Sequence, residues 1–163
     1  MSLVIRKMSP NDARVFLEVH HSAVREFAAK DYPAAVVDDW AQLPLTEEAI
    51  ERVRANPDDE YRLIAEINGQ VVGIGALVIK NSELRACYVA PGANRQGVGS
   101  ALVREMERIA RERGLAFLDV DSSITAEPLY AALGYQVRER GKHVLRSGRP
   151  MACVKMRKEL PLD

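Results

Sequence analysis

Residues 61–89 constrain the fold more than any other stretch of this chain. "YRLIAEI" (Tyr61 to Ile67) and "QVVGIGALVI" (Gln70 to Ile79) are strand-like runs joined by Asn68-Gly69, and Asn-Gly between apolar runs is a strong hairpin signal. A second turn at Lys80-Asn81 leads into "SELRACYV" (Ser82 to Val89), a third antiparallel strand. That strand does not turn back. It enters a glycine-bearing loop, "VAPGANRQGVGSAL" (Val89 to Leu102), and then a helix from about Gly97 to Arg113, apolar at Ala101, Leu102, Met106, Ile109 and Ala110 and closed by Gly114. "LAFLDVD" follows as a buried strand, so a mostly antiparallel sheet has to accept one strand-helix-strand crossover.

The flanking segments fit that frame. Leu3 to Met8 reads as a strand, and Ser9-Pro10-Asn11-Asp12 as a helix start, with serine at the cap and proline at the first helical position. This helix is expected to run to about Lys30 and to bury Val15, Phe16, Val19, Val24 and Phe27. Pro33 opens a short helix carrying Trp40 and Pro44 ends it; Thr46 caps a third that stops near Asn56-Pro57. Thr125 to Leu133 reads as a short helix closed by Gly134. Two last strands, around Gln136 to Leu145 and Met151 to Leu160, turn at Ser147-Gly148. The predicted fold class is α/β: a mixed, mostly antiparallel twisted sheet flanked by helices, in a single domain over residues 1–163.

Lys plus Arg and Asp plus Glu number 23 each, so no global field draws the chain to nucleic acid or to anionic lipid. No apolar run approaches the roughly 18 residues of a membrane span, and the opening "MSLVIRKMSP" carries no signal-peptide core. Cys87 and Cys153 stand far apart without a C-x-x-C partner, which indicates neither a disulfide framework nor a zinc site. The expectation is a cytoplasmic protein without a metal.

A loop that leaves a strand and opens a helix directs several backbone N–H groups into one small space, at the positive end of the helix dipole. That is an anion site. Gly97 and Gly99 let a ligand reach the backbone, and Asn94, Arg95 and Gln96 add donors. The alternative is a plain connection whose glycines relieve packing. A Walker loop needs Gly-Lys-Ser/Thr, whereas Gly99 is followed by Ser100-Ala101. A dinucleotide fingerprint needs a third glycine where Leu102 stands.

The stretch resembles motif A of the GNAT superfamily of acetyl-CoA-dependent N-acetyltransferases, in which Gln/Arg-x-x-Gly-x-Gly/Ala wraps the pyrophosphate of coenzyme A. Asn94-Arg95-Gln96-Gly97-Val98-Gly99 matches both glycines and departs at Asn94, which donates a hydrogen bond but lacks a charge. The resemblance implies a cofactor site over Asn94, Arg95, Gln96, Gly97, Val98, Gly99 and Ser100. It also assigns the main chain of Cys87, Tyr88 and Val89, in "YVAP" and just before it, to pairing with the pantetheine arm. "AEPLYAALGY" (Ala126 to Tyr135) is similar to the family's motif B, whose leading tyrosine, Tyr130 here, commonly protonates the departing thiolate. Some branches place a catalytic glutamate fourteen positions before the first glycine, which is Glu83. Plain alternation puts Glu83, Arg85 and Cys87 on one strand face, and a bulge in this strand, common in the family, alters that register. A solvated glutamate paired with Arg85 is the simpler reading of Glu83.

The implied activity is acetyl transfer from acetyl-CoA to a primary amine by direct attack in a ternary complex, with a main-chain N–H near Val89 polarising the carbonyl. An idle acyl-CoA-binding regulatory module and an enzyme using another acyl donor stay open. The acceptor is a small-molecule or peptide amine, and a homodimer is left open because dimers are frequent in the family. Cys87 reads as a core residue rather than an acyl carrier, for want of an activating neighbour. His20-His21 read as a helix face or as acceptor-pocket lining. His143, Arg146 and Arg149 near the last hairpin read as a solvated edge or as pocket rim. The acceptor pocket is expected between the helices holding Tyr32 and Trp40 and that hairpin.

Overall fold

Leu63, Ile64 and Ala65 are consecutive, buried, and point to alternate faces of their strand. Leu63 and Ala65 join a cluster with Leu102, Val103 and Met106, while Ile64 joins Phe16, Val19 and Ile74. The sheet is therefore covered on both sides, which is why its central strands read as continuous apolar runs rather than as an alternation.

The structure is a computed structural model describing residues 2–161; residues 1, 162 and 163 of the expected domain lie outside the described residues. Seven strands, β1 (Leu3–Lys7), β2 (Tyr61–Ile67), β3 (Gln70–Val78), β4 (Glu83–Val89), β5 (Phe117–Ser122), β6 (Gln136–Val144) and β7 (Pro150–Glu159), form one sheet in the order β1-β2-β3-β4-β5-β7-β6. Neighbours are antiparallel except β4 and β5, which are parallel, as the crossover requires. The helices are α1 (Ala13–Phe27), α2 (Ala34–Trp40), α3 (Glu47–Ala55), α4 (Val98–Glu112) and α5 (Glu127–Ala132). The expected fold class is the one observed.

Local chemistry explains most boundaries. Asn68 and Gly69 both take left-handed φ, 52° and 78°, which matches the twist of a two-residue hairpin. The expected helix from Ser9 to Lys30 is divided: a 3-10 turn at Pro10–Asp12, then α1, then a 3-10 turn at Ala28–Lys30. Asp12 is the reason for the first break. Its Oδ2 accepts the Ser9 N–H at 2.8 Å, and its carboxylate receives both Arg6 nitrogens at 2.8 and 2.9 Å. Phe16, Val19 and Val24 are buried as expected, whereas Val15 and Phe27 are half-buried. Ser82 is a left-handed turn residue (φ 51°), so β4 begins one residue later than its apolar pattern suggests.

Two glycines of β3 set how close α4 lies. A Cβ on Gly73 would stand 2.8 Å from Val98 Cγ1, and one on Gly75 would stand 3.1 Å from Met106 Cε. Val98, Leu102 and Met106, spaced by four, seat on this groove. Glu107, on the same helix, is buried with its charge answered: Tyr135 Oη donates to it at 2.9 Å and Lys158 Nζ at 3.1 Å. The sequence pattern does not single out that network.

Candidate active site

The site is organised by β4. Along one edge Val89, Tyr88 and Cys87 pair with Gly73, Ile74 and Gly75 of β3. Along the other, β4 meets β5 only at Glu83 and Asp119, where Asp119 N–H also donates to Ser82 C=O at 2.8 Å. Beyond that point the two parallel strands share no ladder, and among the described residues the β5-side edge of Cys87, Tyr88 and Val89 has no neighbouring strand.

This strand carries a bulge. Leu77 faces Leu84 and Ala76 faces Ala86, so Arg85 is the extra residue. The face assignments change with it. Leu84, Cys87 and Val89 pack towards α4, and Glu83, Arg85, Ala86 and Tyr88 line a cavity on the α1 side. Plain alternation, which groups Cys87 with Glu83 and Arg85, is corrected here: the bulge sends Cys87 to the opposite face. Its Sγ lies 3.6 Å from Gly99 C=O, and burial pushes the thiol up to about 12, so it is an inert core group.

The free edge of β4 ends at the glycine loop. Pro91–Ala93 form a 3-10 turn anchored by buried Ala93, after which Arg95 and Gly97 take φ of 64° and 79°. Left-handed residues alternating with ordinary ones point successive N–H groups into one concavity. α4 begins at Val98, one residue after the expected Gly97, which is its cap and offers no side chain. The first N–H groups of α4 thus lack intrahelical partners. Gly99 sits between β4 and α5; a Cβ there would lie 3.3 Å from Leu129 Cδ2 and 3.6 Å from Val89 Cγ2. Asn94, Arg95, Gln96 and Gly97 are exposed, Gly99 and Ser100 half-buried, while the Val98 side chain is fully in the core, so only its N–H faces outward chemistry.

Tyr130, on α5, is buried beside Tyr135 with ring centroids 5.5 Å apart. Burial drives its hydroxyl well above the ordinary tyrosine value, and Cys87, Tyr88 and Tyr135 push the same way, so it keeps its proton. That environment brings α5 against the same end of β4.

The cavity encloses about 460 Å³. Its walls come from five directions: Phe16 and His20 of α1 with Trp40 of α2, Asp58 and Glu60 before β2, the α1-side residues of β4, Asp121 and Ser123 at the end of β5, and His143, Met151 and Cys153 of the last hairpin. His20 packs edge-on against Tyr88 at 4.6 Å and shares a 2.9 Å Nδ1 contact with His21. Burial, helped by His21, lowers His20 to about 3, which leaves the ring neutral. The helix-face reading of His20 is replaced by pocket lining. Trp40 reaches the cavity, whereas Tyr32 fastens its frame by donating to Ala152 C=O at 2.6 Å and accepting from Ile124 N–H at 2.9 Å. Glu83 is held by Arg85, whose Nε and Nη2 reach its two oxygens at 3.1 Å each; Arg85 Nη1 turns to Asp58 at 2.8 Å and Glu60 at 3.3 Å. Arg149 and Ser147 both donate to Asp39, which ties the last hairpin to α2. Among the described residues no group of three His, Cys, Asp or Glu is placed to hold a metal, and no helix is long and apolar enough to cross a membrane.

Known proteins share this layout. An uncharacterised N-acetyltransferase of Escherichia coli, YafP, is 27% identical over 135 residues, 83% of this chain and 82% of that protein. A crystal structure of a GCN5-related N-acetyltransferase from Rhodopseudomonas palustris matches with a TM-score of 0.88 and 27% identity over 98% of this chain and 97% of that one. The PaiA N-acetyltransferase of Thermoplasma acidophilum, solved with coenzyme A, shares the fold with a TM-score of 0.74 at 22% identity over 98% and 99% of the two chains. The model of the acetyltransferase (GNAT) family matches residues 19–135, which include the bulged strand, the glycine loop and the tyrosine helix. This chain belongs to the acetyltransferase (GNAT) family.

Proposed function

We propose that the chain is an acetyl-CoA-dependent N-acetyltransferase that acetylates a primary amine in a ternary complex, as one domain working in the cytoplasm. The observation that carries this reading is the unpaired β5-side edge of β4 running directly into the glycine-opened N-terminus of α4. An extended amide-bearing arm finds a backbone edge to pair with, and the diphosphate at its end finds N–H groups and a helix dipole. The N–H groups from Arg95 to Ser100 hold the diphosphate, Asn94, whose own N–H is donated to Pro91 C=O, adds its side-chain amide, Arg95 adds charge, and Cys87, Tyr88 and Val89 supply main-chain pairing. A main-chain N–H near Val89 polarises the thioester carbonyl.

Coenzyme A lies on the α4 side of the opening and the acceptor amine on the cavity side, so the nitrogen meets the thioester from the face lined by Tyr88. Tyr130 donates to the sulfur as the C–S bond breaks. With its hydroxyl harder to ionise than an ordinary tyrosine, its contribution is a hydrogen bond that becomes a proton transfer late, and its effect belongs at the low end of the general-acid range. The proton shed by the acceptor leaves into the cavity, on whose near wall Glu83 stands. The glycine loop is suited to the cofactor by its chemistry, without any metal.

Melting curves test the first half of this reading. Saturating acetyl-CoA should raise the melting temperature by mass action, and ATP or NAD should not. Thiol release from acetyl-CoA across a panel of amines tests the second half. A shift in melting with no thiol release on any amine would make the chain an acyl-CoA-binding module instead.

A further inference from the structure

Glu83 occupies the position expected of a base, but both of its oxygens face the Arg85 guanidinium. To take a proton it would have to leave a bidentate ion pair, which is among the stronger pairings available to a carboxylate. Across the cavity stands a second acid-base arrangement whose geometry is free of that constraint. His143 of β6 reaches over β7 to Asp121 of β5, with Nδ1 and Oδ2 3.4 Å apart, and both residues line the cavity. Lys155 Nζ holds the same carboxylate from the other side, at 3.3 and 3.4 Å from its two oxygens. Gly141 makes room for this: a Cβ there would lie 3.3 Å from Lys155 Cε. With Nδ1–H directed at Asp121, the neutral ring carries its lone pair on Nε2.

We propose that His143 is the base that deprotonates the acceptor ammonium, with Asp121 as its positioning residue. The inference rests on the reading of the chain as an amine acetyltransferase. The acceptor ammonium gives one proton to His143 Nε2 and becomes a neutral amine. The nitrogen lone pair then forms the C–N bond at the thioester carbonyl, the C–S bonding pair departs with sulfur, and Tyr130 supplies the sulfur's proton. The attacking nitrogen, now bearing one proton too many for an amide, releases it to restore Tyr130. One amide, one thiol and one proton result, and the proton is on His143. Its side chain is 50% exposed, so it can pass that proton to water and reset.

The other ionisable groups around His143 are accounted for. Asp121 faces it from β5, Lys155 and Cys153 from β7, and Glu139 from its own strand; Glu83, Arg85, Asp58, Glu60 and His20 face it across the cavity. His20 stays neutral down to about 3, so it sets no limb of a rate profile near neutrality. Cys153 is pushed upward by burial and remains a thiol.

The experiment is the pH profile of kcat/KM on an amine that the wild type acetylates. His143→Gln should lose about 100-fold at neutral pH and lose the acid limb with it, while acetyl-CoA affinity and melting temperature hold. Asp121→Asn should lower kcat while leaving the KM for the amine and the melting temperature unchanged, because it loosens the hold on Nδ1 without removing the Nε2 lone pair. Free imidazole should restore turnover to His143→Ala. A full rate and an unchanged acid limb in His143→Gln overturn the proposal. So does loss of the limb in Glu83→Gln but not in His143→Gln, which would return the base to β4. If the wild type binds acetyl-CoA and releases thiol with no amine, the functional reading fails first and this inference falls with it.

Discussion

The two faces of β4 are built from different materials. On the α4 side, contacts are made by main chain, glycines and apolar side chains: Val98, Leu102 and Met106 lie over Gly73 and Gly75, and Cys87 and Val89 close against the first turn of α4. On the α1 side, side chains do the work, and charge ties the parts together. Arg6 to Asp12, Arg85 to Asp58, Glu60 and Glu83, and Arg149 to Asp39 link α1, the segment before β2, and the last hairpin to their surroundings. The difference matches the task the proposed function gives each face. A ligand that offers amides and phosphates is held by backbone, whatever the residues are, provided they are small enough. In the function we propose, an acceptor amine is selected and deprotonated by side chains, which can vary without disturbing the other face.

The largest effect that would break this division is on the α4 side. Tyr130→Phe removes one hydroxyl and keeps the ring against Tyr135. We expect kcat to fall about 100-fold, with acetyl-CoA affinity and melting temperature nearly unchanged. Full kcat on a confirmed amine would make Tyr130 a packing residue and leave the α4 face without any side-chain chemistry.

Next comes the fit of α4 on β3. Gly73→Ala places a methyl 2.8 Å from Val98 Cγ1 and 3.0 Å from Leu102 Cδ1. Overpacking of this kind costs ~1–3 kcal/mol, read as a lower denaturation midpoint. Because Val98 opens α4, acetyl-CoA affinity should fall as well, whereas an unchanged affinity would show that the loop is positioned independently of the helix beneath it.

A smaller effect sharpens the contrast from the α1 side. The hydrogen bond from Arg6 holds the Asp12 carboxyl at about 2, below its usual 3.8, despite an opposing contribution from burial. A depressed folded value means that the ion pair stabilises fully above the unfolded value and is lost as pH falls through about 2. The amount is ~1–2 kcal/mol, since Arg6 is partly solvated. Amide exchange in acid should therefore quicken in the first turn of α1 before it does in α4, and Asp12→Asn should remove that difference. Simultaneous loosening of both helices would mean that the two faces unfold as one unit.

Much of the α4 face was legible in the chain, because its signals are contiguous. The hairpin at Asn68-Gly69, the loop from Asn94 to Ser100 and the helix with Tyr130 each lie within a few residues and obey local rules of φ, capping and periodicity. The α1 face was not legible in the same way. Its cavity gathers Phe16, His20, Trp40, Glu83, Asp121 and His143 from distant parts of the sequence, and nothing local distinguishes His20 or His143 from histidines on any exposed helix or edge strand.

What the sequence determined by itself is the succession of elements and the place where backbone N–H groups converge, since both depend on residues near one another in the chain. Tertiary structure alone decided which face each β4 residue takes, because a single extra residue at Arg85 shifts every side chain beyond it, and the bulge is defined only by pairing with Ala76 and Leu77. It also decided that Arg85 reaches Asp58 and Glu60 and that Asp121 meets His143 and Lys155, whereas the pairing of Glu83 with Arg85, two residues apart, was legible in the chain. Charges separated by tens of residues meet only when the sheet is assembled, and the energy of their pairing exists only there.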